Sequence, residues 1–151
     1  MIPKKILVCT DFSENSVPAR ILAIEYAKAF GAELDILHVV NSRLIGYPDF
    51  SVRIPEEFAL VQDHIRQGVD EELDLIGNDC RREIDRVNVH SRTGSPVEEI
   101  VKFAKEESIG LIVMGTHGWT GARHLIVGST AENVVRHADC PVLTVRAGGQ
   151  S

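Results

Sequence analysis

The sequence predicts an α/β fold in which one domain, residues 1–151, is built on an open five-stranded parallel sheet with helices on both faces. Two observations predict this fold. Short apolar segments alternate along the chain with longer segments that carry apolar residues every three or four positions, as strands followed by helices do. Most of the short segments are apolar without alternation, which is typical of parallel strands covered on both faces. The length is also that of a common single domain.

Each predicted strand is a short apolar segment bounded by polar or turn-forming residues, and the strands cover residues 6–9, 34–40, 87–89, 111–114 and 142–145. Helical stripes of apolar residues predict four helices, over residues 17–27, 58–84, 97–104 and 131–138. Gly31 is expected to end the first helix. In the second helix, Gly68 and Gly77 each cost about 1 kcal/mol relative to alanine, so this long helix can bend or break.

The third strand differs from the others because Val87 and Val89 alternate with polar neighbours, which predicts a position at the edge of the sheet. With right-handed crossovers, the simplest strand order is then 3-2-1-4-5. The winding direction reverses between strands 1 and 4. Ligands of open α/β sheets bind at such a reversal, outside the carboxyl ends of the strands. The residues that follow Cys9 and Met114 are therefore the first candidates for a site.

Composition argues against several classes of function. The net charge of −6 does not favour non-specific electrostatic binding to nucleic acid or to an anionic membrane. No apolar run approaches the roughly 20 residues that span a bilayer. The first five residues lead directly into a strand and leave no room for a signal-peptide core. Three cysteines without CxxC spacing indicate neither a disulfide framework nor a zinc site. We therefore expect a cytoplasmic protein with reduced thiols.

A glycine-rich segment follows the fourth strand. Its four glycines fall within 14 residues, at Gly115, Gly118, Gly121 and Gly128. No acidic residue occurs from 108 to 131, where the average composition would place about three or four. Such a loop, leading from a strand to a helix N-terminus, presents backbone N–H groups to an anion, and Arg123 adds a cation. The alternative is an ordinary loop in which Ser129 caps the last helix and Glu132 completes a capping box.

The third and fourth helices begin with related segments, because Gly94-Ser-Pro and Gly128-Ser-Thr are followed by Glu, Val and Ala at the same offsets. Pro96 removes one of the N–H groups that an anion would use. Thr130 keeps this N–H group and adds a hydroxyl group. A phosphate is therefore expected at the fourth helix, and residues 94–97 are expected to be structural or part of a pocket wall.

Asp11 follows the first strand, in the segment Thr10-Asp11-Phe12-Ser13. A carboxylate at this edge of the sheet can accept hydrogen bonds from ribose hydroxyls or hold Mg²⁺ through water. Alternatively, Asp11 caps the turn or the first helix, together with Ser13 and Ser16. The residues alone do not decide between these interpretations.

The common signatures of nucleotide and hydrolytic enzymes are missing. There is no GxxxxGK[ST] loop, no GxGxxG after the first strand and no GxSxG elbow. His117 and His124 flank the glycine loop without clustered carboxylates, which does not favour a metal site. Cys9, on a buried strand, and Cys140, before a proline, are interpreted as packing residues and not as nucleophiles.

The spacing Gly115-x2-Gly118-x9-Gly128-Ser129 resembles the G-2x-G-9x-G-[S/T] signature of the ATP-binding branch of the universal stress protein family. Further segments are similar to that family, and the resemblance covers about residues 3–146: Lys4-Lys-Ile-Leu, Thr10-Asp-Phe-Ser, Leu37-His-Val, Gly94-x-Pro-x-Glu-Glu-Ile-Val, Ile112-Val-Met-Gly-x-His-Gly and Pro141-Val-Leu-x-Val.

The resemblance implies a site for ATP with Mg²⁺ nearby. It implies that Asp11 meets the ribose, that the Val39 backbone hydrogen-bonds adenine and that the Cys9 main chain lies near the base. The remaining residues implied at the nucleotide, around the base or around the phosphates, are Thr10, Met114, Gly115, Thr116, His117, Gly118, Gly121, Gly128, Ser129 and Thr130.

The resemblance also implies a homodimer that pairs through the fifth strand, from Pro141 to Arg146, which is apolar enough to do so. The pocket can also take AMP or another adenine nucleotide in place of ATP, and two functions stay open. One is a nucleotide-dependent adaptor or regulator of the stress response that is read by an unidentified partner protein. The other is a slow Mg²⁺-dependent ATPase or an (auto)phosphotransferase. The first is favoured because the sequence offers no P-loop lysine and no evident catalytic base.

Overall fold

The computed structural model describes residues 1–43, 56–117 and 127–148, and its elements alternate between strands and helices. In chain order they are β1 (Lys5–Cys9), a short 3-10 helix (Glu14–Ser16), α1 (Val17–Phe30), β2 (Glu33–Asn41), α2 (Glu56–Arg81), β3 (Val87–Gly94), α3 (Pro96–Glu106), β4 (Leu111–Gly115), α4 (Ser129–His137) and β5 (Val142–Val145). Within these ranges no helix is long and apolar enough to cross a membrane.

The five strands form one parallel sheet in the order β3-β2-β1-β4-β5, which confirms the predicted order. Cys9 at the end of β1 lies opposite Leu37, and Val8 lies opposite Val113 on the other side. The winding therefore reverses between β1 and β4, and the carboxyl ends of β1, β2 and β4 lie at the same edge of the sheet.

Apolar side chains fill both faces of the sheet, as the absence of alternation predicts. Ile6, Val8 and Ile36 pack in one cluster with residues of α1 and α2. Leu7, Leu37 and Ile112 pack on the opposite face with residues of α3 and α4. Burying a side chain of this size stabilises the fold by roughly 1.5–3 kcal/mol. The two layers hold the strand ends, and thus the residues that follow them, in fixed positions.

The edge position of β3 is confirmed, but the strand is longer than predicted. It pairs with β2 from Leu34 opposite Val87 to Asn41 opposite Gly94. The sequence prediction ended at residue 89 because the following residues are polar. An edge strand needs apolar side chains on one face only, so backbone pairing continues through Ser91 and Thr93.

The helix termini agree with the predictions in part. Gly31 ends α1 in the left-handed conformation, with φ of 62°, as expected. The structure has α2 as one unbroken helix to Arg81, so a break at Gly68 or Gly77 does not occur. A Cβ atom on Gly77 would lie 2.7 Å from Cγ1 of Val89. This glycine therefore permits close packing of α2 on β3, which offsets its low helix propensity.

The alternative interpretation, in which Ser129 and Glu132 form a capping box at α4, is wrong. Gly128 occupies the N-cap position and Ser129 is the first helical residue, with no side-chain cap hydrogen bond. The Glu132 carboxylate accepts instead from Arg136 at 2.9 Å. In α3 the N-cap is Ser95, also without a side-chain bond, and Pro96 is the first helical residue as predicted. The two helices therefore differ by one position at their starts, although their sequences are related.

Candidate functional site

A cleft of about 550 Å³ opens outside the carboxyl ends of β1, β2 and β4, and this volume is typical of small-molecule sites. The predicted site residues that the structure describes line it: Cys9, Thr10, Asp11, Val39, Met114, Gly115, Thr116, His117, Gly128, Ser129 and Thr130. Gly118, Gly121, Arg123 and His124 lie outside the described residues. Residues far apart in the chain thus meet at the predicted reversal of the sheet.

Other residues of the cleft were not among the predicted site residues, and they are Ser16, Leu37, His38, Val40, Asn41, Ile65, Pro96, Ile100 and Ala131. Pro96 belongs to the segment expected as a possible pocket wall. His38 and Asn41 follow from the rule that strand ends line the crevice, applied to β2 as well as to β1 and β4. Ile65 comes from the middle of α2, and no local pattern marks it.

The turn after β1 holds Asp11 in place. The Asp11 Oδ1 atom accepts hydrogen bonds from the Ser13 backbone N–H at 2.9 Å and from the Ser13 hydroxyl at 2.5 Å. Phe12 has φ of 65°, a conformation that is rare for a bulky residue. Its N–H donates to the Thr10 hydroxyl at 3.1 Å. Asp11 therefore does cap the turn, and it lines the cleft at the same time.

His38, on the neighbouring strand β2, stabilises this turn. Its Nδ1 atom lies 2.8 Å from the Thr10 carbonyl oxygen, and its ring stacks on Phe12 with centroids 4.2 Å apart. Burial lowers the pKa of His38 from its usual 6.5, although the Thr10 carbonyl and the Asp11 charge act in the other direction. The ring is therefore neutral at pH 7.

The backbone of Val39 faces the cleft. Thr10 N–H donates to the Leu37 carbonyl at 2.9 Å, so the peptide groups of Leu37 are directed toward β1. Backbone groups of a strand alternate in direction, which places the N–H and C=O of Val39 on this same edge of β2. Because β1 ends at Cys9, these groups lie beyond the end of the neighbouring strand.

Gly128 brings the start of α4 against the end of β4. Its N–H donates to the Thr116 carbonyl at 2.6 Å, and a Cβ atom at this position would lie 2.8 Å from the same oxygen. A Cβ atom on Gly115 would lie 3.0 Å from the Asn15 carbonyl oxygen. Gly128 is therefore needed for close approach of backbone to backbone, a side chain at Gly115 would fit only tightly, and both glycines line the cleft.

The first turn of α4 presents unpaired amides to the cleft. The Glu132 N–H makes the first bond of the helix, to the Gly128 carbonyl at 3.0 Å. The N–H groups of Ser129, Thr130 and Ala131 precede this bond and have no partner within the helix. All three residues line the cleft, so a helix N-terminus suited to an anion forms one wall of it.

His117 adds a polar atom to the same wall. Its Nδ1 atom lies 2.8 Å from the Thr116 hydroxyl. Its Nε2 atom is buried without a hydrogen-bond partner among the described residues. A buried polar atom without a partner costs about 1–3 kcal/mol.

The part of the cleft wall that the structure describes carries little charge. Asp11 is the one acidic residue among the described lining residues, and no lysine or arginine occurs among them. Burial raises the pKa of the Cys9 thiol to about 12, so it remains protonated and is not a nucleophile at neutral pH. No three His, Cys, Asp or Glu side chains converge in the part of the chain that the structure describes. The arrangement is suited to binding an anion through backbone amides.

An open parallel α/β sheet with an amide-lined cleft at its winding reversal defines a protein of the doubly wound class, with a candidate ligand site where such folds place one. Residues 3–146 match the family model described as universal stress protein family, and the chain belongs to this family. The predicted membership is thereby confirmed.

Known relatives agree with this assignment over nearly the whole chain. Universal stress protein MJ0531 of Methanocaldococcus jannaschii is 35% identical over 144 residues, which cover 95% of this chain and 82% of the relative. Universal stress protein MJ0577 of the same organism is 33% identical over 160 residues, with coverage of 95% and 94%. The solved structure of MJ0577 superposes with a TM-score of 0.84, 30% identity and coverage of 99% of this chain and 100% of that one.

A universal stress protein solved in complex with cAMP has the same fold. Its TM-score is 0.73 at 21% identity, and the match covers 98% of this chain and 100% of that one. At this identity the likeness concerns the fold alone.

Proposed function

We propose that the cleft binds ATP and that the protein acts in the cytoplasm as a nucleotide-dependent adaptor or regulator in the stress response. One observation carries the proposal: the free amides of Ser129, Thr130 and Ala131 form a wall of the cleft that Gly128 holds against β4. Amides at a helix N-terminus bind phosphate without a cationic side chain. The phosphate chain would lie along residues 115–117 and 128–130, and a partner protein would recognise the surface formed by the bound nucleotide and the rim of the cleft.

The opposite end of the cleft suits adenosine. The N–H and C=O of Val39 face the cleft on its β2 side, two strands from β4, and the apolar groups of Met114 and Ile100 add surface to the cleft for a base. An adenine ring carries both a donor and acceptors on one edge, which matches such a pair of backbone groups. Asp11 lies at the end of β1 between this region and α4, where it would accept from ribose hydroxyls. AMP would use the same adenosine contacts.

Magnesium would enter with the phosphates. Mg²⁺ in nucleotide sites is held by one or two carboxylates plus phosphate oxygens and water. Asp11 is the one carboxylate in the described cleft, and the hydroxyl groups of Ser129 and Thr130 are the other oxygen donors near the phosphates. Bound Mg²⁺ would neutralise phosphate charge in a wall that has no cationic side chain among the described residues.

The second candidate is a slow Mg²⁺-dependent ATPase or an (auto)phosphotransferase, and the orphaned Nε2 atom of His117 favours it. His117 lines the cleft, and an imidazole is a possible phosphoryl acceptor. Efficient phosphoryl transfer also needs a group that positions the nucleophile and several cationic contacts. The described wall lacks the cationic contacts, so we favour binding with little turnover.

Three measurements on one preparation of the natural protein distinguish the two functions. Calorimetric titration with ATP and Mg²⁺ should give saturable binding that AMP competes for and GTP does not. Phosphate release should stay well below the roughly 1–100 s⁻¹ of kinases. Mass spectrometry of the molecule released on denaturation should identify an adenine nucleotide. The absence of any adenylate binding by the folded protein would contradict both functions, whereas Mg²⁺-dependent turnover within the kinase range would favour the enzyme.

We also propose that two copies pair through β5. The carbonyl of Pro141, just before β5, accepts from Ile112 of β4, and the carbonyl of Val145 in β5 accepts from Thr116, just after β4, each at 3.0 Å. The peptide groups of Val142 and Thr144 therefore face outward, because alternate residues of a strand bond to the same side. An apolar edge with free peptide groups is a template for another strand.

Thr144→Pro should convert the dimer into a monomer, since proline removes an outward N–H without removing a bond to β4. Light scattering at micromolar concentration should give twice the 16.6 kDa chain mass for the natural protein and for Thr144→Val, which keeps the N–H group. A monomeric mass for the natural protein would contradict the interface. A dimeric mass for a folded Thr144→Pro variant would place the interface elsewhere.

A further inference from the structure

The backbone hydrogen bonds between β1 and β2 end at Thr10, one bond earlier than a regular parallel ladder would allow. The Thr10 N–H donates to the Leu37 carbonyl at 2.9 Å. In a parallel ladder the Thr10 carbonyl would next accept from the Val39 N–H, two residues further along β2. The hydrogen bonds of the described residues do not include this pair. The Thr10 carbonyl lies instead 2.8 Å from Nδ1 of His38.

The bond to His38 fixes the chemical state of its ring. A carbonyl oxygen only accepts, so Nδ1 carries the proton. Burial lowers the pKa of His38, with the Asp11 carboxylate as the charged group that opposes this shift. The ring is therefore the neutral Nδ1–H tautomer at pH 7. Stacking on Phe12, at 4.2 Å between centroids, holds the ring in this orientation.

We propose that His38 is a positioning residue that withholds the Thr10 carbonyl from the Val39 N–H and so keeps this N–H available to a ligand in the cleft. The inference rests on the proposed adenine nucleotide function. His38 takes the carbonyl that would otherwise extend the sheet, and the Val39 N–H remains a donor on the cleft side of β2. His38 therefore prepares the adenosine end of the cleft and leaves the phosphate end unchanged.

Two substitutions of His38 test separately its hydrogen-bond donor and its aromatic ring. His38→Phe keeps a ring for stacking on Phe12 but removes the donor, so the Thr10 carbonyl becomes free to bond to Val39. His38→Asn loses the ring but places an amide N–H near the position of Nδ1 and cannot titrate. If the donor is what matters, phenylalanine should weaken nucleotide binding and asparagine should restore most of it.

Calorimetry with AMP, with ATP and Mg²⁺, and with inorganic tripolyphosphate and Mg²⁺ tests the inference. For His38→Phe we expect both nucleotides to bind about tenfold more weakly, as for the loss of one good hydrogen bond. Tripolyphosphate should bind as before, since it does not reach Val39. Denaturant unfolding should show His38→Phe to be about as stable as the natural protein, because the ladder gains one bond.

The outcomes separate this inference from the proposed function. If the natural protein does not bind ATP, the proposed function fails. If it binds ATP and a folded His38→Phe binds equally well, the inference is overturned. If His38→Phe does not fold, the His38→Asn variant decides the question. This variant keeps a hydrogen-bond donor, so weak binding of AMP by the folded His38→Asn protein would also overturn the inference. In the natural protein, ¹⁵N NMR of the His38 ring should show a protonated Nδ1, and a protonated Nε2 alone would contradict the argument.

Discussion

Replacing Gly128 by alanine is expected to weaken the binding of ATP with Mg²⁺ by at least about tenfold, equivalent to about 1.4 kcal/mol. The added Cβ atom would lie 2.8 Å from the Thr116 carbonyl oxygen, which also accepts the Gly128 N–H at 2.6 Å. Both groups are backbone, so no side chain can move aside. The start of α4 must then shift away from β4, and the amides of its first turn move with it.

Gly68→Ala is the matched control, because a Cβ atom at Gly68 meets nothing within 4 Å. This change should leave ATP affinity unaltered and stabilise α2 by up to about 1 kcal/mol. Calorimetry gives the affinities, and denaturant unfolding shows whether each variant folds. Tripolyphosphate should follow ATP in the Gly128→Ala variant. Full affinity in a folded Gly128→Ala protein would remove the start of α4 from the phosphate site.

Substitution of Asp11 should distinguish its role in the turn from its role toward a ligand. Asp11→Ala removes the acceptor of both Ser13 bonds, which are 2.9 and 2.5 Å long, and should cost about 1 kcal/mol of stability. Loss of a charged acceptor should also weaken ATP binding by roughly ten- to hundredfold. Asp11→Asn keeps an oxygen for Ser13 and should retain most of the stability, with an intermediate loss of affinity.

The affinities of the Asp11 variants for AMP and for tripolyphosphate, with and without Mg²⁺, show which group of the ligand Asp11 contacts. If it meets the ribose, AMP affinity falls in both variants and tripolyphosphate affinity does not. If it holds Mg²⁺ through water, tripolyphosphate binding falls only when Mg²⁺ is present. Unchanged affinity for every probe in a folded Asp11→Ala variant would show that the carboxylate only stabilises the turn and does not contact the ligand.

The strand order was predictable because it depends on local composition. Strands that are apolar on both faces must be covered by helices, and the alternation at Val87 and Val89 marks one edge. The position of the cleft follows from that order. The glycine spacing predicts its phosphate end, because only glycine allows backbone atoms to approach as closely as at Gly128.

The remaining details depend on contacts between distant residues. Helix propensity predicts weakness at Gly77, whereas the structure uses the missing side chain to pack α2 on Val89. His38 is a polar residue in an apolar strand, and its bond to Thr10 spans 28 residues of sequence. The capping pattern at Ser129 fails because the helix begins one residue earlier than the pattern assumes, at Ser129 itself. Local patterns do not contain this information.

Thr116 connects the end of β5 to the start of α4. Its N–H donates to the Val145 carbonyl at the end of β5, and its carbonyl accepts the N–H of Gly128. If two copies associate along β5, association and nucleotide occupancy act on the same residue. By reciprocity, any factor by which nucleotide tightens the dimer must equal the factor by which the dimer tightens nucleotide. Cellular concentrations of protein and of nucleotide would then regulate each other's effect through Thr116.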